Sequence, residues 1–219
     1  LDKKLYYNFN DIFPQDIRDE FIFPIDSFRQ FLEGLSINPV LFFEKWTDSN
    51  RKNIVDKYWK PSTRLDWKWS LSYTLFSLLE NYIHSINYPK IIGFSGLPGS
   101  GKSTLGYWID CVAKELSLDI KVISLDDFYL SGQEMDIAMN GNPWNVPRGF
   151  PGSHSLDILH QSLDTFLTTG VLSSPTFDKS LRDGKGDRSG WCEFKPKVLI
   201  LEGWFVGCEP VSNLMEIDH

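Results

Sequence analysis

The sequence predicts an α/β protein: a parallel β-sheet built from residues 89–219, preceded over residues 1–88 by a mainly helical extension. Three observations carry that expectation. Apolar runs of strand length alternate with longer helical segments throughout the second stretch, the pattern that produces parallel sheets. A glycine-rich turn, GLPGSGKST at 96–104, joins the first of those runs to the first long segment. The first stretch differs in texture and holds four of the chain's eight tryptophans, Trp46, Trp59, Trp67 and Trp69, among short helix-like segments.

In the extension, SFRQFLEGL and NPVLFFEKW read as short helices. WSLSYTLFSLLENYIHSI places Trp69, Phe76, Leu79, Ile83 and Ile86 at three-to-four-residue steps with occasional longer gaps, as one face of a helix does. Tyr88-Pro89 ends it, because the residue before proline is pushed out of the helical region. The sheet region then reads KIIGFSG as a buried strand, KSTLGYWIDCVAKEL as a helix, IKVISLD as a strand, SLDILHQSLDTFL as a helix and KVLILEGW as a strand. Residues 140–154 and 173–191, rich in Gly, Pro, Ser and Asp, are too long for plain connectors and read as substrate loops. There is no internal repeat and no low-complexity tract.

GLPGSGKS satisfies G-x-x-x-x-G-K-[ST], with the strand before it and the helix after it that the motif requires. Gly96, Gly99 and Gly101 let the backbone curl into a nest, so that its amides, those of Ser100 included, and the first turn of the following helix, Lys102, Ser103 and Thr104, face the phosphates of ATP. Lys102 is the catalytic cation that follows the β- and γ-phosphates, and the Ser103 hydroxyl is a ligand for Mg²⁺. Glu202, closing the last strand, is the expected Walker-B carboxylate on the metal; no N-K-x-D base-reading motif of a GTPase is present. In SLDDFY, Asp126 is the favoured base for a substrate hydroxyl, while Asp127 either caps the next turn or supports the metal. That division assumes that adjacent strand residues point to opposite faces.

Composition narrows the partners. Twenty-two basic against 29 acidic residues give a net charge of −7, which leaves no global positive field to draw in nucleic acid or an anionic membrane. The expected partner is a small molecule, and an anionic one must be captured by a local cluster of donors. Cys111, Cys192 and Cys208 are odd in number and widely spaced, which suggests neither a disulfide framework nor a zinc site and fits a reducing compartment. No apolar run reaches the length of about 18 residues that a membrane span needs, and LDKKLYYNFNDIF has no signal-peptide core. The expected compartment is the cytoplasm, or an organelle if a transit peptide preceded Leu1. Nothing in the sequence speaks to oligomeric state.

With these motifs the chain resembles the phosphoribulokinase, uridine kinase and pantothenate kinase group of P-loop small-molecule kinases, in which a D-x-F-Y stretch follows the second strand. Within that group it resembles D-glycerate 3-kinase of the plant, fungal and cyanobacterial type. The resemblance is carried in order by GLPGSGKST, SLDDFYL, RGFPGSHSLD, FDKSLRDGKGDRS and VLILEGWFVG, across residues 91–207. It implies a P-loop sheet with helices on both faces and MgATP-dependent phosphorylation of the glycerate 3-hydroxyl. It also implies a lid helix and adenine-holding segments beyond His219, so the C-terminal part of the fold is expected to be missing from this sequence.

Glycerate has a carboxylate and two hydroxyls, so its site needs a cationic fork and several neutral donors. RGFPGSHS offers Arg148, Ser153 and His154; FDKSLRDGKGDRS adds Asp178, Lys179, Lys185 and Arg188. Arg148 or Arg188 is expected on the carboxylate, and His154 or Asp178 on the hydroxyls. Two alternatives remain open from the residues: a related kinase for uridine, pantothenate or another metabolite, and a nucleotide-binding module in which ATP is a conformational ligand and Asp126 is idle.

Overall fold

The computed structural model describes residues 21–22, 24–85 and 89–208. The chain divides into two units, Leu1–Ser85 and Ile86–His219.

In the first unit, α1 (Ile25–Gly34), α2 (Pro39–Thr47) and α3 (Ser49–Asp56) are short and individually capped. Asn38 accepts from the Val40 and Leu41 amides at 3.0 and 3.1 Å with Pro39 at the first helical position, and Asp48 accepts from the Arg51 amide at 3.0 Å. The helix expected over 69–86 is two elements. A π-helical segment, Trp67–Tyr73, runs into α4 (Thr74–Ser85). The Ser72 and Thr74 hydroxyls each donate at 3.0 Å to a carbonyl five residues earlier, Trp67 and Trp69. That wider turn accounts for the longer gaps in the apolar spacing. The buried rings of Phe28, Phe42, Phe43, Trp46, Trp69, Tyr73 and Phe76 form the core, with Trp46 stacked on Tyr73 at 4.3 Å. Ile86 and Tyr88, where the helix was expected to end, lie outside the described residues, as do LDKKLYYNFNDIF and His219.

In the second unit, β1 (Lys90–Ser95), α5 (Lys102–Glu115), β2 (Ile120–Ser124) and β5 (Val198–Gly203) form where the alternation places them. The strand order is β1-β5-β2, all parallel, and β5 is buried along its whole length as a central strand should be. Helices cover both faces. Gly106 of α5 sits so close to the Val122 and Glu202 side chains that an added β-carbon would meet Val122 Cγ1 at 3.0 Å. On the opposite face Leu199, Leu201 and Ile123 join Leu159 and Phe166 of α7 (Leu156–Thr169).

Two expectations are corrected. The segment 173–191 is not a loop: β3 (Leu172–Asp178) and β4 (Asp187–Phe194) pair as an antiparallel hairpin with an irregularity at Thr176/Phe177. Pro175 and the run of Gly, Ser and Asp disguised it, because a two-stranded ribbon tolerates residues that a central strand does not. The second strand also stops at Ser124, and Leu125–Phe128 forms a 3₁₀ turn, so Asp126 and Asp127 are not on a strand. A helix not anticipated, α6 (Gly132–Met139), follows. Among the described residues, no helix is long and apolar enough to cross a membrane.

The end of β5 passes directly under that 3₁₀ turn. A β-carbon at Gly203 would stand 2.5 Å from Leu125 Cβ and 3.2 Å from Val206 Cγ2. Gly203→Ala is therefore expected to lower unfolding free energy by about 1–3 kcal/mol through overpacking. Gly34→Ala, where a β-carbon meets nothing within 4 Å, is expected to leave stability unchanged or slightly raised. Urea unfolding midpoints of the two variants check the contrast; equal losses would contradict it.

Candidate active site

The parallel register sets the site. Ser95 pairs with Gly203, and Ser124 with Glu202, so β1, β5 and β2 end together and release three chain segments at one sheet edge. From β1 comes the glycine-rich turn. Gly99 and Gly101 have φ of +77° and +89°, which side chains disfavour, and the turn closes through the Ser100 amide to the Leu97 carbonyl at 3.2 Å. Gly96 packs against Ser100 and Lys102. No side chain caps α5, so its first-turn amides remain available to an anion. Lys102 Nζ rests on the Leu97 carbonyl at 3.0 Å, and the Ser103 hydroxyl donates to Glu202 Oε1 at 2.9 Å. Glu202 is only 5% exposed.

From β2 comes the 3₁₀ turn. The Ser124 hydroxyl accepts from the Asp126 amide at 3.3 Å, and Asp127 Oδ2 accepts from the Ser124 amide at 3.4 Å. Asp127 Oδ1 accepts from the Phe177 amide at 3.4 Å, which ties the turn to β3. Burial raises the Asp127 carboxyl above its ordinary range, against the pull of those amides. Asp126 instead faces the pocket, where its Oδ2 accepts from Lys179 Nζ at 2.7 Å and its charge lies beside the Tyr129 phenol. Burial, with Asp126 beside it, pushes that phenol well above the ordinary tyrosine range, so it stays protonated.

Residues 140–154 return alongside this turn. Leu130 donates its amide to the Ser153 carbonyl at 2.9 Å and Ser155 donates to the Phe128 carbonyl at 2.7 Å. His154 thereby stacks on Tyr129 at 4.4 Å, with Nε2 buried and unpartnered among the described residues. Burial holds its imidazole below the ordinary histidine range, although the Asp126 charge opposes this. Trp204 and Phe205, just past β5, stack on each other at 4.6 Å, and Trp144 lies over Trp204 at 6.3 Å.

These segments enclose a pocket of about 320 Å³ whose lining includes Gly99, Lys102, Ser103, Asp126, Tyr129, His154, Glu202 and Trp204. Gly96, Ser100, Gly101 and Thr104 shape the turn without lining it. Four expected site residues are placed elsewhere. Asp127 has each oxygen on a backbone amide, the turn-capping arrangement that was one of the two expected for it. Arg148 donates to the Gly184 and Lys185 carbonyls at 2.7 and 3.0 Å. Arg188 donates to the Tyr129 carbonyl at 3.2 Å and to Ser155 at 3.4 Å, with its guanidinium 5.8 Å from the Trp191 ring. Asp178 closes a local turn by accepting from the Ser180 amide and hydroxyl at 2.8 and 2.6 Å. Tyr129, Trp204 and Trp144 were given no role from the sequence; only the position of Tyr129 inside SLDDFY pointed to it.

No protein-family model matches the chain. It is 38% identical over 152 residues to the uncharacterized kinase mug58 of Schizosaccharomyces pombe, a match covering 64% of this chain and 55% of that one. It is 36% identical over 135 residues to the chloroplastic D-glycerate 3-kinase of Arabidopsis thaliana, covering 56% of this chain and 30% of that one. The chain thus spans about half, or less, of the length of these relatives. Among solved structures, that of the YGR205w protein matches with a TM-score of 0.53 at 30% identity, covering 64% of this chain and 54% of that one. The relatives of this chain thus include an uncharacterized kinase and a D-glycerate 3-kinase.

Proposed function

We propose that this protein is an ATP-dependent phosphotransferase acting on an alcohol group of a small metabolite, and that the acceptor is D-glycerate, giving 3-phosphoglycerate. One observation carries the reading: the glycine-rich turn with its uncapped helix and the Asp126 carboxylate border the same pocket. The 36% identity to a D-glycerate 3-kinase supports the acceptor.

The chemistry follows from that arrangement. The acceptor hydroxyl is received by Asp126, which takes its proton as the oxygen attacks the γ-phosphorus; the bond from that phosphorus to the β,γ-bridging oxygen breaks, and ADP leaves. Lys102 and the first-turn amides of α5 balance the charge on the phosphates, and the fixed turn geometry removes the need to assemble the reactants from solution. Ser103 and Glu202 present a hydroxyl and a buried carboxylate in contact, hard oxygen donors suited to Mg²⁺ together with phosphate oxygens. Mg²⁺ held by these two side chains would supply positive charge against the phosphates of ATP.

Coupled ADP production against D-glycerate, L-glycerate, uridine and pantothenate tests the acceptor; a response to D-glycerate is expected to exceed the others. Asp126→Asn is expected to lower kcat by about 10²–10⁴ while leaving ATP affinity within a few-fold. Retained turnover in that variant would overturn Asp126 as the base, whereas ADP production that no acceptor stimulates would favour the module reading of ATP as a conformational ligand. A second outcome concerns pH. Because the folded state holds His154 below its ordinary pKa of 6.5, the unfolded chain takes up a proton that the folded site refuses as pH falls through about 6.5. Stability should therefore decline below that pH, and His154→Phe should flatten this part of the profile in urea titrations run from pH 5 to 8, a range set on the order of the histidine transition.

A further inference from the structure

An acid acceptor poses an electrostatic problem here. Its carboxylate must lie near an ionised Asp126 and the γ-phosphate, inside a chain of net charge −7, and like charges that close repel unless a cation stands between them. The two arginines expected for that duty are engaged: Arg148 on the Gly184 and Lys185 carbonyls, Arg188 on the Tyr129 carbonyl and Ser155. Neither lines the pocket, and neither does Lys179, which is held at its rim by the contact with the pocket-lining Asp126. Lys179 is the cation at the reacting end, with Nζ 2.7 Å from Asp126 Oδ2 and a side chain that is 55% exposed.

Its backbone is held firmly. Asp178 and Ser180 close the turn on which it sits. Farther along the hairpin tip, Arg182 donates to the Gly132 carbonyl at 2.8 Å and pairs with Asp136, and Arg148 grips the Gly184 and Lys185 carbonyls. An ion pair as exposed as Lys179 with Asp126 adds little to folding. An ammonium group has three donors on a flexible stem, so one can stay on Asp126 while the others reach an incoming anion.

We propose that Lys179 is the acceptor-recognition cation: its ammonium bridges Asp126 and the carboxylate of a hydroxy acid whose hydroxyl Asp126 receives. The inference rests on the kinase reading above and deepens it. It assigns the preference for an anionic acceptor to one residue of the β3–β4 turn.

The test compares D-glycerate with glycerol, a neutral acceptor that keeps the adjacent hydroxyls, in the wild type, Lys179→Met and Lys179→Arg. In Lys179→Met the ratio of kcat/KM for D-glycerate to that for glycerol should fall about 10- to 100-fold, mostly through KM, as expected for losing one hydrogen bond to a charged group. Lys179→Arg should restore a large part of the ratio. Equal losses on both acceptors would leave the glycerate reading standing and overturn the role of Lys179. A wild type that phosphorylates only neutral acceptors would overturn both. Calorimetric titration with D-glycerate gives a readout without turnover: binding by the wild type that is weakened to the same degree in Lys179→Met supports the proposal, and wild-type affinity in Lys179→Met, or no wild-type binding, overturns it.

Discussion

The parallel register of β1, β5 and β2 is the constraint from which the site follows. Strands that run in one direction and end level with each other deliver their connecting segments to a single edge, and the crevice outside their carboxyl ends is where open α/β sheets bind ligands. A one-residue slip of β5 would turn Glu202 to the opposite face and carry Leu201 toward α5. It would also move Gly203 from beneath Leu125, where only the absence of a side chain permits the close approach. The register is held by the unbroken burial of β5, whose six residues leave no exposed face to tolerate a shift.

Two adjacent aspartates illustrate how local geometry divides labour between identical side chains. Asp127 turns back to satisfy amides of Ser124 and Phe177, binding the 3₁₀ turn to β3. Asp126, one residue earlier, is left to face the pocket with Lys179 as its partner and the Tyr129 phenol beside it. The hairpin is therefore part of the site's construction, since β3 both fixes the turn and leads into the segment that supplies Lys179.

Much of this was legible in the sequence, and the reasons for the remainder are physical. The strands β1, β2 and β5 and the helix α5 announce themselves because burial on two faces demands continuous apolar runs and because the glycine-rich turn permits few other contexts. Ser103, Glu202, Asp126 and Lys102 could be named for the same reason. The hairpin escaped because a two-stranded ribbon, half exposed, accepts Pro175, Ser173 and Gly190 at little cost and so carries little periodic signal. Arg148 or Arg188 was expected on a substrate carboxylate because a guanidinium fork fits one. Sequence does not reveal that nearby backbone carbonyls, which every loop possesses, hold part of each guanidinium. The stop of β2 at Ser124 was hidden too, since a serine that accepts from an amide two residues on looks no different in a string of letters from one in a strand.

The pairing of Trp144 with Trp204 has an optical consequence. The two indoles lie 6.3 Å apart with planes inclined by 17°, one on the loop that precedes His154 and the other on the pocket wall. Trp144 is 57% exposed, so its emission is open to aqueous quenchers in a way that a core tryptophan such as Trp108 is not. Any rearrangement that parts these rings changes both their excitonic coupling and their quenching, giving the loop a built-in chromophoric gauge that needs no attached label.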